Sequence, residues 1–367
     1  MKIAFITGGL KPGRDGVGDY TRRLAAECIR QGHPSAILSL NDHHISRPQA
    51  GEQEIEETVV PVLRLPWSDP WPKRIADACD WMNSFDPDWV SLQFVPFAFH
   101  PRGLAFSLPF QLSQVIGTRP LHWMFHELWV LWSFPLSLRK RLLGQAQKLC
   151  LLFWLKQLQP KVVATQLPLY QEELGKLGVA AKLLPLHGNI PVAPRADADR
   201  WLAGRCAGII NGQQVKAGFF GNILPTLNRS LLAAHMAELK KAPGDELLVL
   251  SAGKIGPESS QLWDSLEQDL KTVAKFVKLG QLDEPESSLY FSALDYGLTS
   301  YPPELMRKSG SVAAMNEHGL PMIACGSMGG RSKLPDGQFP ADDSAVQSWT
   351  VKQTADSLLT QLRQAGL

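Results

Sequence analysis

The residues best suited to chemistry cluster in one stretch of this 367-residue chain, from Tyr290 to Cys325. Pro302-Pro303-Glu304 makes a constrained turn there, and Lys308-Ser309-Gly310 stands at the entry to a helix. A first helical turn of Ser-Gly beside a Lys offers open backbone N–H groups and positive charge, which suits a phosphate or diphosphate. A second group lies near the start of the chain. Gly16 and Gly18 follow the first strand and let a backbone approach a ligand without a Cβ clash. Asp15 and Asp19 read as caps of the helix that follows, with Asp19 favoured because Arg22 and Arg23 come after it. A third candidate is His126, which with Glu127 ends a strand, a place where polar residues of open α/β sheets line a ligand crevice. Trp123, Trp129 and Trp132 read first as core and second as stacking platforms.

The elements that must position these residues follow from periodicity. The first seven residues, MKIAFIT, form a strand that runs into a glycine loop. Tyr20, Leu24, Ala25, Cys28 and Ile29 then recur at helical spacing, and Ser35 to Leu40 is a second strand, which completes a βαβ unit. Residues 41–66 read as loop apart from a strand at Val59 to Leu65. Helix Trp71 to Ser84, strand Trp89 to Phe94, helix Leu108 to Ile116, strand Pro120 to Phe125 and a long helix Leu136 to Gln159 come next. IPVAPRADAD marks a linker near residues 190–199, after which strands and helices alternate again to the final helix, Val351 to Gln364. Two successive α/β units predict a two-lobed molecule with a cleft between the lobes.

Composition narrows the classes. Hydrophobic content of 44%, charged content of 20% and a net charge of +2 describe an ordinary globular chain. No basic stripe with interleaved aromatics points to nucleic acid. Five scattered cysteines without a C-x-x-C pair point to neither a disulfide framework nor a zinc site, and fit reduced thiols in a cytoplasmic protein. The apolar start is too short for a signal peptide, and Leu142 to Leu158 is too short and too polar to span a bilayer.

Four segments together resemble GT-B glycosyltransferases of the family 4 type: FITGGLKPGRDGVGDYTRRLAAECIRQGH, LLPLHGNIP, VKAGFFGNILP, and LGQLDEPESSLYFSALDYGLTSYPPE with AAMNEHGLPMIA. The resemblance implies an α/β GT-B fold of two Rossmann-like lobes. It implies an acceptor lobe at 1–192, a nucleotide-sugar lobe at 193–350, and a helix at 351–367 that crosses back to the first lobe. It further implies sugar transfer from a nucleotide diphosphate sugar with retention at the anomeric carbon, neither metal nor cofactor, and a sugar, lipid-linked or small-molecule acceptor. Peripheral membrane contact is compatible with that acceptor class. By position, His126 and Glu304 would face the donor sugar, and Gly16 and Gly18 the diphosphate. Gly221, Asn222 and Arg229, after the second lobe's first strand, and Lys308, Ser309 and Gly310 complete the donor set. Two family features are absent. Val312 or Ala314 stands where a second glutamate would hold the ribose, and Arg229 alone represents the basic pair.

Two other readings remain beside this one. A non-catalytic GT-B protein that binds a nucleotide or sugar would account for the missing glutamate. An NAD-type oxidoreductase would use Asp42 as the ribose-binding acid, but Thr21 occupies the third glycine position of its loop.

Overall fold

A computed structural model describes residues 1–130, 138–210, 214–240, 246–327 and 349–366. Trp132 lies outside the described residues. The chain divides into two compact units, Met1–Pro185 with Val351–Leu367, and Leu186–Thr350. The division falls ahead of residue 192, the boundary read from the sequence. Ile190 already packs in the core of the second unit, and Ser288 Oγ donates to Pro191 O at 2.5 Å.

The first unit is built from β1 (Ile3–Thr7), α1 (Gly16–Arg30), β2 (Ser35–Asp42), β3 (Gln49–Ile55), β4 (Thr58–Pro66), α2 (Trp71–Phe85), β5 (Trp89–Phe94), α3 (Pro96–Phe99), α4 (Leu108–Ile116), β6 (Leu121–Phe125), α5 (Leu138–Leu158), β7 (Val162–Thr165), α6 (Pro168–Gly175) and β8 (Ala181–Leu183). Its strands run β3-β4-β2-β1-β5-β6-β7-β8. All neighbours are parallel except β3 and β4. Strands β1 and β5 are buried at every position, as central parallel strands covered on both faces must be.

Strand β3 was not expected, since 41–58 read as loop. It is an antiparallel edge strand, QAGEQEI, exposed along most of its length. Glu56 and Glu57 turn it into β4 with φ of 48° and 63°. Turns of that hand normally announce themselves with Asn or Gly, and here neither is present.

The second unit holds α7 (Arg195–Arg205), β9 (Val215–Phe220), α8 (Arg229–Leu239), β10 (Leu247–Ala252), α9 (Pro257–Leu270), β11 (Lys275–Gly280), α10 (Glu284–Ala293), β12 (Tyr296–Thr299), a 3-10 turn (Pro303–Lys308), α11 (Gly310–Glu317) and β13 (Met322–Ala324). The linker read at 190–199 therefore already contains the start of α7. The sheet order is β11-β10-β9-β12-β13, parallel throughout. Alternate residues of β10 feed two cores. Leu248 and Leu250 pack with Tyr290 and Phe291, whereas Leu247 and Val249 pack with Trp263 and Leu266.

The chain ends in α12 (Val351–Gly366), grouped with the first unit. Val351, Ala355, Leu358, Leu359 and Leu362 form its buried face, and Gln361 Nε2 donates to Leu183 O at 3.1 Å.

Candidate functional site

In the second unit the order of strands reverses beside β9, with β10 on one side and β12 on the other. Open α/β sheets bind ligands at the carboxyl ends of strands at such a point. Two loops meet there. Leu224 N donates to Ser300 Oγ at 2.8 Å, and Thr226 Oγ1 donates to Ser300 O at 2.8 Å. Strand β13 ties in through Cys325 N, which donates to Thr299 O at 2.7 Å. Gly326 must be glycine, because a Cβ there would run into the backbone of Ser300, Tyr301 and Pro302.

Helix α11 opens beside this junction. Ser309 is its N-cap and accepts from Val312 N at 3.4 Å, as the Lys308-Ser309-Gly310 pattern predicts. As at any helix start, the first amides have no acceptor within the helix, and the dipole adds positive potential. Nothing crowds the space beside Gly310. Lys308 Nζ lies 5.8 Å from the Tyr301 ring, so its charge sits beside the turn after β12. Glu304 lies in the 3-10 turn that leads to α11. Its side chain is outside the described residues.

The loop after β9 supplies Gly221 and Asn222. Gly221 has φ of +78° and its amide donates to Ala252 O at 2.8 Å, so the glycine meets a backbone requirement. Asn222 Oδ1 accepts from Gly256 N at 2.8 Å and Ser259 Oγ at 3.2 Å, which joins this loop to the start of α9. Arg229 is directed elsewhere, with Nη1 at 2.8 Å from Ser265 Oγ and 2.5 Å from Asp269 Oδ2 on α9. Val312 and Ala314, at the positions of the absent second glutamate, are both buried.

In the first unit, the glycine loop serves its own helix. Asp15, rather than Asp19, is the N-cap of α1, and its Oδ1 accepts from Val17 N at 3.0 Å and Gly18 N at 2.9 Å. Burial raises the Asp15 carboxyl above its ordinary range, against the pull of these amides. Asp19 instead accepts from Gly13 N at 3.1 Å and from Arg22 at 3.2 Å. A Cβ on Gly18 would stand 2.7 Å from Gly9 O, so this glycine is needed for packing against the loop. Gly16 is exposed with open space around it.

His126 is 4% exposed, and its Nε2 lies 2.9 Å from Gln93 Oε1. Burial lowers its pKa to about 4, so the ring is neutral at pH 7. Tyr20 meets it edge-on at 4.8 Å. Gln93 Nε2 donates to Ser91 Oγ at 2.7 Å, and Ser91 Oγ lies 2.8 Å from His122 Nδ1. The polar file His126–Gln93–Ser91–His122 was not read from the sequence. Its signal was the alternation of Ser91 with Gln93 on β5, and of His122 with the His126 that ends β6, which puts all four on one face. Trp123 lies on the other face in an aromatic core with Phe94, Phe125 and Trp154. Trp129 is buried beneath Lys148, whose Nζ is 5.4 Å from its ring.

Asp42 is fully buried, and its carboxylate is occupied by Arg64 Nε at 2.8 Å, Leu10 N at 3.1 Å and His44 N at 2.9 Å. Burial pushes its pKa up, but Arg64 and these amides outweigh it and hold the group below its ordinary value. A ribose would have to displace an internal ion pair, which argues against the dinucleotide reading. Among the described residues no His, Cys, Asp and Glu group could hold a metal ion, and no helix is long and apolar enough to cross a membrane.

The chain folds into two α/β units whose sheets are parallel apart from the β3 edge, and solved structures that match along the whole chain show the fold to be GT-B. One is sucrose-phosphate synthase from Thermosynechococcus elongatus, 15% identical, covering 100% of this chain and 90% of that one at a TM-score of 0.61. Another is HepE of Anabaena in complex with UDP and glucose, 14% identical, covering 100% and 98% at 0.57. The catalytic domain of starch synthase IV from Arabidopsis thaliana, bound to ADP and acarbose, is 13% identical and covers 100% and 91% at 0.53. No family model and no curated protein matches the chain.

Proposed function

We propose that this protein is a glycosyltransferase that moves a sugar from a nucleotide diphosphate sugar to a sugar, lipid-linked or small-molecule acceptor. The observation that carries the proposal is the start of α11, with Lys308 and Ser309, at the switch point of a unit in a chain-long GT-B fold. HepE with UDP and glucose, and starch synthase with ADP and acarbose, are neighbours in that fold. The second unit would hold the donor, and the first the acceptor.

Bond breaking in the donor builds negative charge on the leaving diphosphate. The α11 amides and the Lys308 ammonium would stabilise it without a metal. The leaving phosphate would also take the acceptor's proton on the face it departs from, which gives retention. Glu304 would hold donor-sugar hydroxyls, and His126, kept neutral, would offer a hydrogen bond rather than a charge. Asp15 already neutralises the start of α1, so the diphosphate is assigned to the second unit rather than to Gly16 and Gly18. The free cysteines fit action in the cytoplasm, where nucleotide sugars are available.

A panel of UDP-, GDP- and ADP-sugars, assayed for release of nucleoside diphosphate, tests this. Lys308→Ala should lower kcat/KM by the equivalent of about 2–4 kcal/mol of transition-state stabilisation. Glu304→Ala should also lose turnover. Unchanged rates in both variants would remove the α11 turn from the mechanism. Burial of Val312 and Ala314 favours a second reading, a GT-B protein that binds nucleotide without transfer. Binding of a nucleotide sugar with no release from any donor would establish it.

A further inference from the structure

Helix α5 is apolar on both sides. Its inner side packs Cys150, Leu151 and Trp154 into the unit, and Trp154 Nε1 donates to Ala105 O at 2.9 Å. The outer side of a surface helix is ordinarily polar. Here Leu138, Leu142 and Leu149 point outward, at 72%, 63% and 64% exposure. With Phe153 they form one stripe at about 100° per residue, roughly 22 Å long. The Phe153 ring contacts Phe110 at 5.5 Å and Phe106 at 6.4 Å. Those two rings are 49% and 46% exposed and carry the apolar surface onto and beside α4.

The charged residues of this stretch of chain are almost all basic. Between Asp88 and Glu172 the chain has eight Lys and Arg residues but one acid, Glu127, although its totals of 37 and 35 are nearly balanced. Five of those cations, Arg139, Lys140, Arg141, Lys148 and Lys156, are on α5, which carries no acid at all.

We infer that this face of the first unit docks on an anionic lipid bilayer. The leucine and phenylalanine stripe enters the boundary between headgroups and acyl chains, and the basic residues of α5 meet the headgroup phosphates. Charge selects this occupant over a second copy of the chain, since pairing through the same face would oppose two cationic surfaces. The contact is interfacial, because no described helix is long and apolar enough to cross a membrane.

Vesicle sedimentation without any nucleotide sugar tests the inference independently of glycosyl transfer. The full chain should pellet with phosphatidylcholine vesicles that contain phosphatidylglycerol, much less with pure phosphatidylcholine, and less again in high salt. Arg141→Ala with Lys148→Ala should weaken binding about 30-fold, at roughly 1 kcal/mol for each cation near the surface. Leu142→Glu with Leu149→Glu should abolish it while the circular dichroism spectrum and melting temperature hold. Val192→Glu, which alters an apolar residue 56% exposed in the other unit, should bind as wild type does. No pelleting with anionic vesicles, or equal pelleting by the α5 variants, overturns the inference. So does a self-associated form in sedimentation velocity that the α5 variants dissolve while lipid binding persists.

Discussion

His122 and His126 are both buried, and burial lowers their pKa values to about 3 and about 4. Each is neutral in the folded chain and would take a proton near its ordinary 6.5 when unfolded. The unfolded state therefore binds more protons below that value, so stability is complete above about pH 6.5 and declines as pH falls towards 4 and then 3. His126 alone accounts for a loss on the order of 3 kcal/mol. Urea unfolding at pH 7 and at about pH 4.5 should show the decline, and His126→Gln should make it shallower, with the share from His122 left in place. An identical pH slope in the variant would contradict a buried neutral histidine. The location of His126 at a strand end was legible in the sequence. Its bond to Gln93 was not, because a pair 33 positions apart meets only when β5 and β6 align.

At the scale of elements, α1 shows how a cap decides where a helix begins. Asp15 holds the amides of Val17 and Gly18, so Asp15→Ala should destabilise the first unit by about 1 kcal/mol, and Asp15→Asn by less. Chemical denaturation would read both. A loss in Asp19→Ala with none in Asp15→Ala would reverse the assignment. Basic residues after Asp19 favour it in the sequence, but the cap is the last residue with extended backbone before the helix, and that residue is Asp15. Strand β3 eluded the same kind of reading. As a polar edge strand it has no buried face to impose a pattern, and its turn lacks Gly or Asn. Strands β5 and β12 have the bounds read from the sequence, since continuous burial leaves an apolar run with abrupt ends.

At the scale of the whole molecule, the last helix belongs to the first unit, far from it in sequence. Truncation after Thr350 would uncover one face of α1 and leave Leu358, Leu359 and Leu362 without a counterpart. At about 1.5–3 kcal/mol for each buried side chain, the loss rivals the entire stability of a typical domain. The truncated chain should lose the melting transition of the first unit, and limited proteolysis should cut within 1–185. An intact, protease-resistant first unit would show α12 to be dispensable.

By itself the sequence determined two parallel α/β units, the strand-turn-helix around Lys308-Ser309-Gly310, and the order of nearly every element. Those are properties of local periodicity and of the few residues that cap helices or permit turns, and they are written within a span of a few residues. Tertiary structure alone decided which polar groups are spent internally. Asp15 on its own helix, Asp42 on Arg64, Asn222 on the start of α9, Arg229 on Asp269 and His126 on Gln93 each meet partners by folding. A side chain's chemistry is set by what desolvates and pairs it, and apart from the local cap at Asp15 those partners come from distant segments. The same applies to α5, whose sequence is apolar on both sides and whose exposed side only the packed unit reveals.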